Sequence, residues 1–196
     1  MYKKYLEQMI PTKAVDFLDK LVNKKITKLI RYSWWNPETS AKECDIERCK
    51  VFSLTAGPLF IEFDTDIGVG FSSQPSTCSV EVWLEKDNEN KRDELMCNDR
   101  ELFPVYANDS VYSEKYFGDL IGGEFLKYEI IKKEPVNSLY WELPREVGIV
   151  FYFSNNSTII VSHGLHDNSD DFSVIKNEQI DKNVIDLLYK TNRFWI

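Results

Sequence analysis

Histidine occurs only twice in this 196-residue chain, and 24 lysines and arginines are outnumbered by 32 aspartates and glutamates. The formal charge is −8, which weighs against a nucleic-acid partner. Holding a phosphate backbone takes clustered Lys and Arg that displace its counterions. No apolar run approaches the ~20 residues of a membrane helix, and Met1 to Lys13 carries no apolar stretch of signal-peptide length. A cytoplasmic protein with neither membrane nor nucleic-acid partner is expected.

Cysteine is also sparse. Cys44, Cys49, Cys78 and Cys97 are 5, 29 and 19 residues apart, which fits neither a paired C-x-x-C zinc site nor a dense disulfide framework. Free thiols are expected. The chain has no G-x-S-x-G, no H-E-x-x-H and no glycine-rich loop opening a helix. No catalytic residue, cofactor or metal is therefore assigned.

What the chain does contain is apolar and aromatic substance, 43% and 14% of residues, enough for a packed core. The clearest stretch is Leu59 to Phe71, where Leu59, Ile61 and Phe63 alternate with other residues up to a Thr65-Asp66 turn, and Val69 and Phe71 alternate after it. Ile149 to Val161 echoes it around Ser154-Asn155-Asn156-Ser157. Period-two alternation broken by Asp, Asn, Ser or Gly predicts two hairpins.

Similar elements precede each hairpin. Thr12 is placed to cap a helix carrying Ala14, Val15, Phe17, Leu18, Leu21 and Val22, with a strand from Lys25 to Tyr32 after it. Ser113 is placed to cap another with Tyr116, Phe117, Leu120 and Ile121, stopped by Gly122-Gly123 before a strand from Phe125 to Ile131. After the hairpins, Ser79 to Leu84 and Phe172 to Ile175 read as matching strands. Val51 to Leu54 reads as strand, Ser40 to Lys50 as loop and Glu85 to Glu101 as a charged link. A last helix is expected near Asp181, with Phe194, Trp195 and Ile196 docked beyond it.

The expected class is α+β: two tandem helix-strand-hairpin units from an internal duplication, with antiparallel sheet and a C-terminal helix. The first unit covers 1–110 and the second 111–196, packed as one body. A consistent order with a drifting offset is what insertion into a duplicated unit leaves behind.

Candidate binding residues fall in three groups. Trp34 and Trp35 close the first strand, one indole on each face, and one is a candidate interface anchor. Asp64 and Asp66 sit in the first hairpin turn. The loop Ser162 to Asp171 holds His163, His166, Asp167, Asp170 and Asp171, and its counterpart Ser72 to Ser76 has no ligand-type residue. Imidazoles and carboxylates on one loop also fit a metal-dependent enzyme centred on His163, His166 and Asp167. Ser162, His163 and Asp167 are a nucleophile, base and acid by residue type, but they are close in sequence rather than brought together by a fold, which is weak evidence for catalysis. Each group also has a plain reading as core covering, turn-making or solvation.

The segments KITKLIRYSWW, GPLFIEFDTDIGVGF, SVEVWLE and VGIVFYF together resemble the small acidic α+β immunity proteins encoded beside bacterial polymorphic toxins. The resemblance implies a non-enzymatic cytosolic binding module that neutralises a cognate toxin domain. Many such toxin domains are basic nucleases, which an acidic surface would both steer and plug. No residue role is carried over from that family.

Overall fold

In a computed structural model, residues 8–87 and 96–191 are described. The expected docking of Phe194, Trp195 and Ile196 and residues 88–95 of the charged link lie outside them. The fold is mixed α+β, with two antiparallel five-stranded sheets and a few short helices.

The first half begins with a 3₁₀ turn Pro11–Lys13, helix α1 (Val15–Leu18) and a second 3₁₀ turn Asp19–Leu21. Strand β1 (Ile26–Ser33), helices α2 (Pro37–Glu43) and α3 (Val51–Leu54), and strands β2 (Leu59–Phe63), β3 (Gly68–Gln74), β4 (Ser79–Lys86) and β5 (Phe103–Tyr106) follow. The second half holds α4 (Lys115–Gly118), β6 (Phe125–Lys133), β7 (Gly148–Phe153), β8 (Thr158–His163), β9 (Phe172–Ile175), α5 (Lys182–Ile185) and β10 (Leu188–Thr191). The sheets have orders β4-β3-β2-β1-β5 and β9-β8-β7-β6-β10. Each is thus a four-stranded meander whose first strand also pairs with a fifth.

The inner faces meet in one core that includes Leu29, Ile61, Val69 and Phe71 from the first sheet and Ile149, Phe151, Ile159 and Val161 from the second. Phe71 and Phe151 stack edge to face with centroids 5.6 Å apart. The outer faces are covered as well. Ile30, Tyr32, Phe60 and Trp83 pack with Met96 and Leu102 on one side, and Val150 and Ile160 pack with Val184 and Leu165 on the other. β1 is therefore buried on both faces from Leu29 to Ser33, where sequence alternation predicted a half-buried strand. A side chain at Gly70 would fall inside the Trp83 indole, and one at Gly68 inside the Phe60 ring; the outer aromatic layer lies directly on this bare backbone.

The junctions between helix and first strand meet reciprocally. Asn23 N donates to Phe125 O (2.7 Å), and Gly122 N donates to Ile26 O (2.8 Å). Ile26 N donates to Gly123 O (3.0 Å), and Phe125 N donates to Lys24 O (2.8 Å). Each bond maps onto the other when 99 is added to one set of residue numbers. Asn23 and Gly122 both take positive φ, 65° and 85°, and so do the hairpin residues Asp66 and Asn156, at 59° and 62°. The β1–β2 and β6–β7 ladders both shift register at the same place, between Ile26 and Lys28 and between Phe125 and Lys127.

The expected helices are shorter than their periodicity suggested. Thr12 caps no helix; its amide and hydroxyl both donate to the buried Glu146 carboxylate, at 2.8 and 2.7 Å. Val51 to Leu54 is helical rather than extended, because one turn buries Val51, Phe52 and Ser53 at once. Part of the expected Ser40 to Lys50 loop is the end of α2, whose start is capped by the Asn36 side chain accepting from Thr39 N. The C-terminal helix is the single turn α5, and Leu188 continues as strand β10 against β6. The expected link from Glu85 is anchored at its ends: Glu85 is buried and accepts from Trp83 Nε1 and Met96 N, each at 2.7 Å. No helix among the described residues is long and apolar enough to cross a membrane.

Candidate functional site

In an antiparallel meander the odd and even connections fall at opposite ends. The β1–β2 and β3–β4 connections share one end of the first sheet, and the β6–β7 and β8–β9 connections share one end of the second. These two ends coincide. Ser73 near the close of β3 contacts His163 at the close of β8, and Arg145 N donates to Thr77 O at 3.3 Å. Trp34, Trp35, His163, His166, Asp167, Asp170 and Asp171 therefore all lie at one end of the sandwich, on the β1–β2 and β8–β9 connections and the last residue of β8. Asp64 and Asp66 lie at the other end, in the β2–β3 turn. There Asp64 accepts from Lys25 N at 3.3 Å and Asp66 stands 3.7 Å from Lys86 Nζ, so they serve the turn and are not joined to the rest.

The most exposed large apolar side chains at this end belong to the β6–β7 connection. Leu139 is 84% exposed, Trp141 68% and Val136 63%. The loop is nonetheless pinned. Arg145 Nη1 donates to the carbonyls of Tyr140 and Trp141, and its Nε to Lys133 O at 3.0 Å. Local bonds Tyr140 N to Asn137 O and Trp141 N to Ser138 O close a 3₁₀ turn. Trp34 and Trp35 are both about half exposed. β1 ends at Ser33 and α2 begins at Pro37, so neither indole lies inside the strand, against the expectation of one per face.

Behind the loop is a cavity of about 230 Å³ lined by Val136, Tyr140, Val147, Cys78, His163 and Asp170, with Lys133 and Arg145 also in its wall. His163 is buried and its Nε2 lies 3.8 Å from Asp170 Oδ1. Burial is the main influence on the imidazole and pushes its pKa below the ordinary 6.5; Asp170 opposes this and Lys133 adds to it. Burial, then Asp170, pushes the Cys78 thiol up, which makes it a poor nucleophile. Asp167 sits in a turn and accepts from Ser169 N at 3.0 Å. Although burial pushes the Asp167 carboxyl up, the bonds from Ser169 outweigh it and the net shift is downward.

The nucleophile arrangement suggested by Ser162, His163 and Asp167 does not form. Ser162 is buried and bonds Ser173 at 2.7 Å, because neighbouring residues of a strand face opposite ways. The serine that reaches His163 is Ser73, and its hydroxyl also donates to the Asp170 carbonyl at 2.9 Å. Among the described residues no group of three His, Cys, Asp or Glu side chains is placed to hold a metal ion, so His163, His166 and Asp167 do not converge as the metal reading requires.

Three features escaped the sequence reading: the apolar loop, the Arg145 clasp and the Ser73–His163 contact. The loop had a signal. PVNSLYWELP sets Val136, Leu139, Tyr140, Trp141 and Leu143 among turn-formers, where no strand or helix period exists to bury them. No protein-family model, no curated protein and no solved structure matches the chain.

Proposed function

We propose that this chain is a non-enzymatic protein-binding module, and specifically an immunity protein that binds and neutralises a cognate basic toxin domain. The observation that carries the reading is the Val136–Trp141 loop: three exposed apolar side chains on a backbone already fixed by Arg145. Exposed apolar groups of this size mark contact surfaces. Trp and Tyr dominate interface hot spots, and a pre-ordered loop avoids the entropic cost of ordering on binding. Trp34 and Trp35 are exposed at the same end of the sandwich, and the charge of −8 suits a basic partner through long-range steering.

The scaffold is read as a duplicated helix-strand-hairpin unit. Matching strand orders, reciprocal junction bonds 99 residues apart, and hairpin bonds 90 residues apart support this. In the hairpins, Phe63 N to Ile67 O recurs as Phe153 N to Ser157 O. Function then belongs to what differs between the copies, since the shared parts are framework. The unmatched β1–β2 and β6–β7 connections carry the exposed tryptophans.

The test is to co-express this chain with the C-terminal domain of the toxin encoded beside it. Stoichiometric co-purification and protection from toxicity support the reading, and a well-folded toxin domain that does not bind removes it.

A further inference from the structure

The cavity behind the Val136–Trp141 loop holds two hydrogen-bond acceptors with no donor between them. Ser73 Oγ has one proton, and the Asp170 carbonyl oxygen at 2.9 Å takes it. Ser73 Oγ therefore accepts from His163 Nδ1, and the ring proton resides on Nδ1. With the imidazole kept neutral by its burial, Nε2 presents a bare lone pair. It lies 3.8 Å from Asp170 Oδ1, and both residues line the cavity.

The cations of the wall are engaged elsewhere. Lys133 Nζ donates to Asn168 Oδ1 at 2.7 Å, and Arg145 donates through Nε and Nη1 to the carbonyls of Lys133, Tyr140 and Trp141. What the acceptor pair lacks is a group that donates two hydrogen bonds and carries positive charge, an ammonium or a guanidinium. Val136, Tyr140 and Val147 supply apolar wall for an alkyl stem. At about 230 Å³ the space is smaller than the ~300–1,000 Å³ of drug-sized ligand sites and is on the scale of one extended side chain.

The geometry points to a recess for a lysine or arginine side chain of the protein partner, its cationic head bridging His163 Nε2 and the Asp170 carboxylate. This rests on the protein-binding reading and adds the chemistry of the contact. The apolar loop anchors the partner, and the recess beside it selects a basic residue at one position. A partner with an acidic residue there would set a carboxylate against the Asp170 carboxylate and the His163 Nε2 lone pair, and that repulsion discriminates against it.

Two probes test the recess on the isolated protein by following the His163 ring nitrogens by NMR at pH 7.5. The ring should carry its proton on Nδ1. Agmatine, an alkyl guanidinium, should shift Nε2 saturably with a dissociation constant on the order of 1–10 mM, and neutral 1-pentanol should not. Asp170→Asn, at an exposed position and with an unchanged melting temperature as control, should weaken agmatine about tenfold. A ring proton on Nε2, no saturable shift up to about 100 mM agmatine, or equal binding to the Asp170→Asn variant each overturns the recess. The toxin domain supplies the second arm: Asp170→Asn should weaken its binding about tenfold as well. Unchanged toxin affinity alongside weakened agmatine binding would assign the recess to a free cationic metabolite, overturning the partner side chain. A toxin domain that fails to bind the wild-type protein removes the reading beneath the inference. Failure of agmatine while the toxin binds removes the recess alone.

Discussion

Arg31 of β1 donates from Nη2 to the carbonyl oxygen of Phe172 on β9, 2.7 Å away, and its guanidinium carbon lies 4.3 Å from the centre of the Phe172 ring. The same nitrogen bonds Thr55 O at the end of α3, and Ser53 Oγ bonds Val174 O. The free edge of the second sheet is thus closed by side chains from the first half of the chain, one of the ways an open strand edge is protected. The cost is a fully buried cation, which burial pushes down to about 9, with Asp171 opposing, and whose Nε and Nη1 have no partner among the described residues. Arg31→Lys keeps a charge but cannot reproduce the planar fork or the stacked ring contact. Its unfolding free energy, measured in urea, should fall by about 2–4 kcal/mol; a loss below about 0.5 kcal/mol would show that the clasp is not structural.

His163 ties stability to pH. Its pKa in the folded protein lies below the ordinary 6.5, so the unfolded chain binds the proton more tightly. The stabilisation from this group is whole above 6.5 and is lost as pH falls from there through the folded value. His163→Gln should flatten the acid side of a stability-versus-pH curve just below 6.5 relative to wild type. Superimposable slopes would contradict the buried neutral ring.

Gly70 lies under the Trp83 indole. Gly70→Ala should displace the ring and cost about 1–3 kcal/mol, seen as a lower urea midpoint and a changed near-ultraviolet tryptophan signal. Unaltered stability would mean that the outer aromatic layer is not closely packed on β3.

Arg145 is the clasp of the Val136–Trp141 loop, so Arg145→Met should speed hydrogen exchange at the amides of Tyr140, Trp141 and Leu143 by roughly 10- to 100-fold, with the sheets little affected. Exchange that does not change would place the order of the loop elsewhere.

The hairpins Leu59–Phe71 and Ile149–Val161 were legible in the sequence because period two is a local signal, and the 99- and 90-residue offsets that relate the two halves recur in their hydrogen bonds. Val51–Leu54 was misread because four mostly apolar residues carry no period; contact with β9 decides the matter. The short helices were overread, since three- and four-residue spacing persists into the 3₁₀ turn Asp19–Leu21 and into the β-strand that follows α5. At the candidate site, no sequence period places the named residues relative to one another: Trp34, Trp35 and the His163 to Asp171 loop lie at one end of the sandwich, and Asp64 and Asp66 at the other. Ser73 and His163, 90 residues apart, had no local signal to join them. The neutral state of His163 depends on burial, which no spacing encodes.

Titration calorimetry of the cognate toxin domain into wild type and Trp141→Ala tests the account most directly. Trp141 is exposed and, among the described residues, bonds only through its backbone within the loop, so the variant should keep its melting temperature while losing at least about 2 kcal/mol of binding free energy, roughly 30-fold in affinity. Equal affinity for the two proteins would contradict the claim that the Val136–Trp141 loop is the anchor.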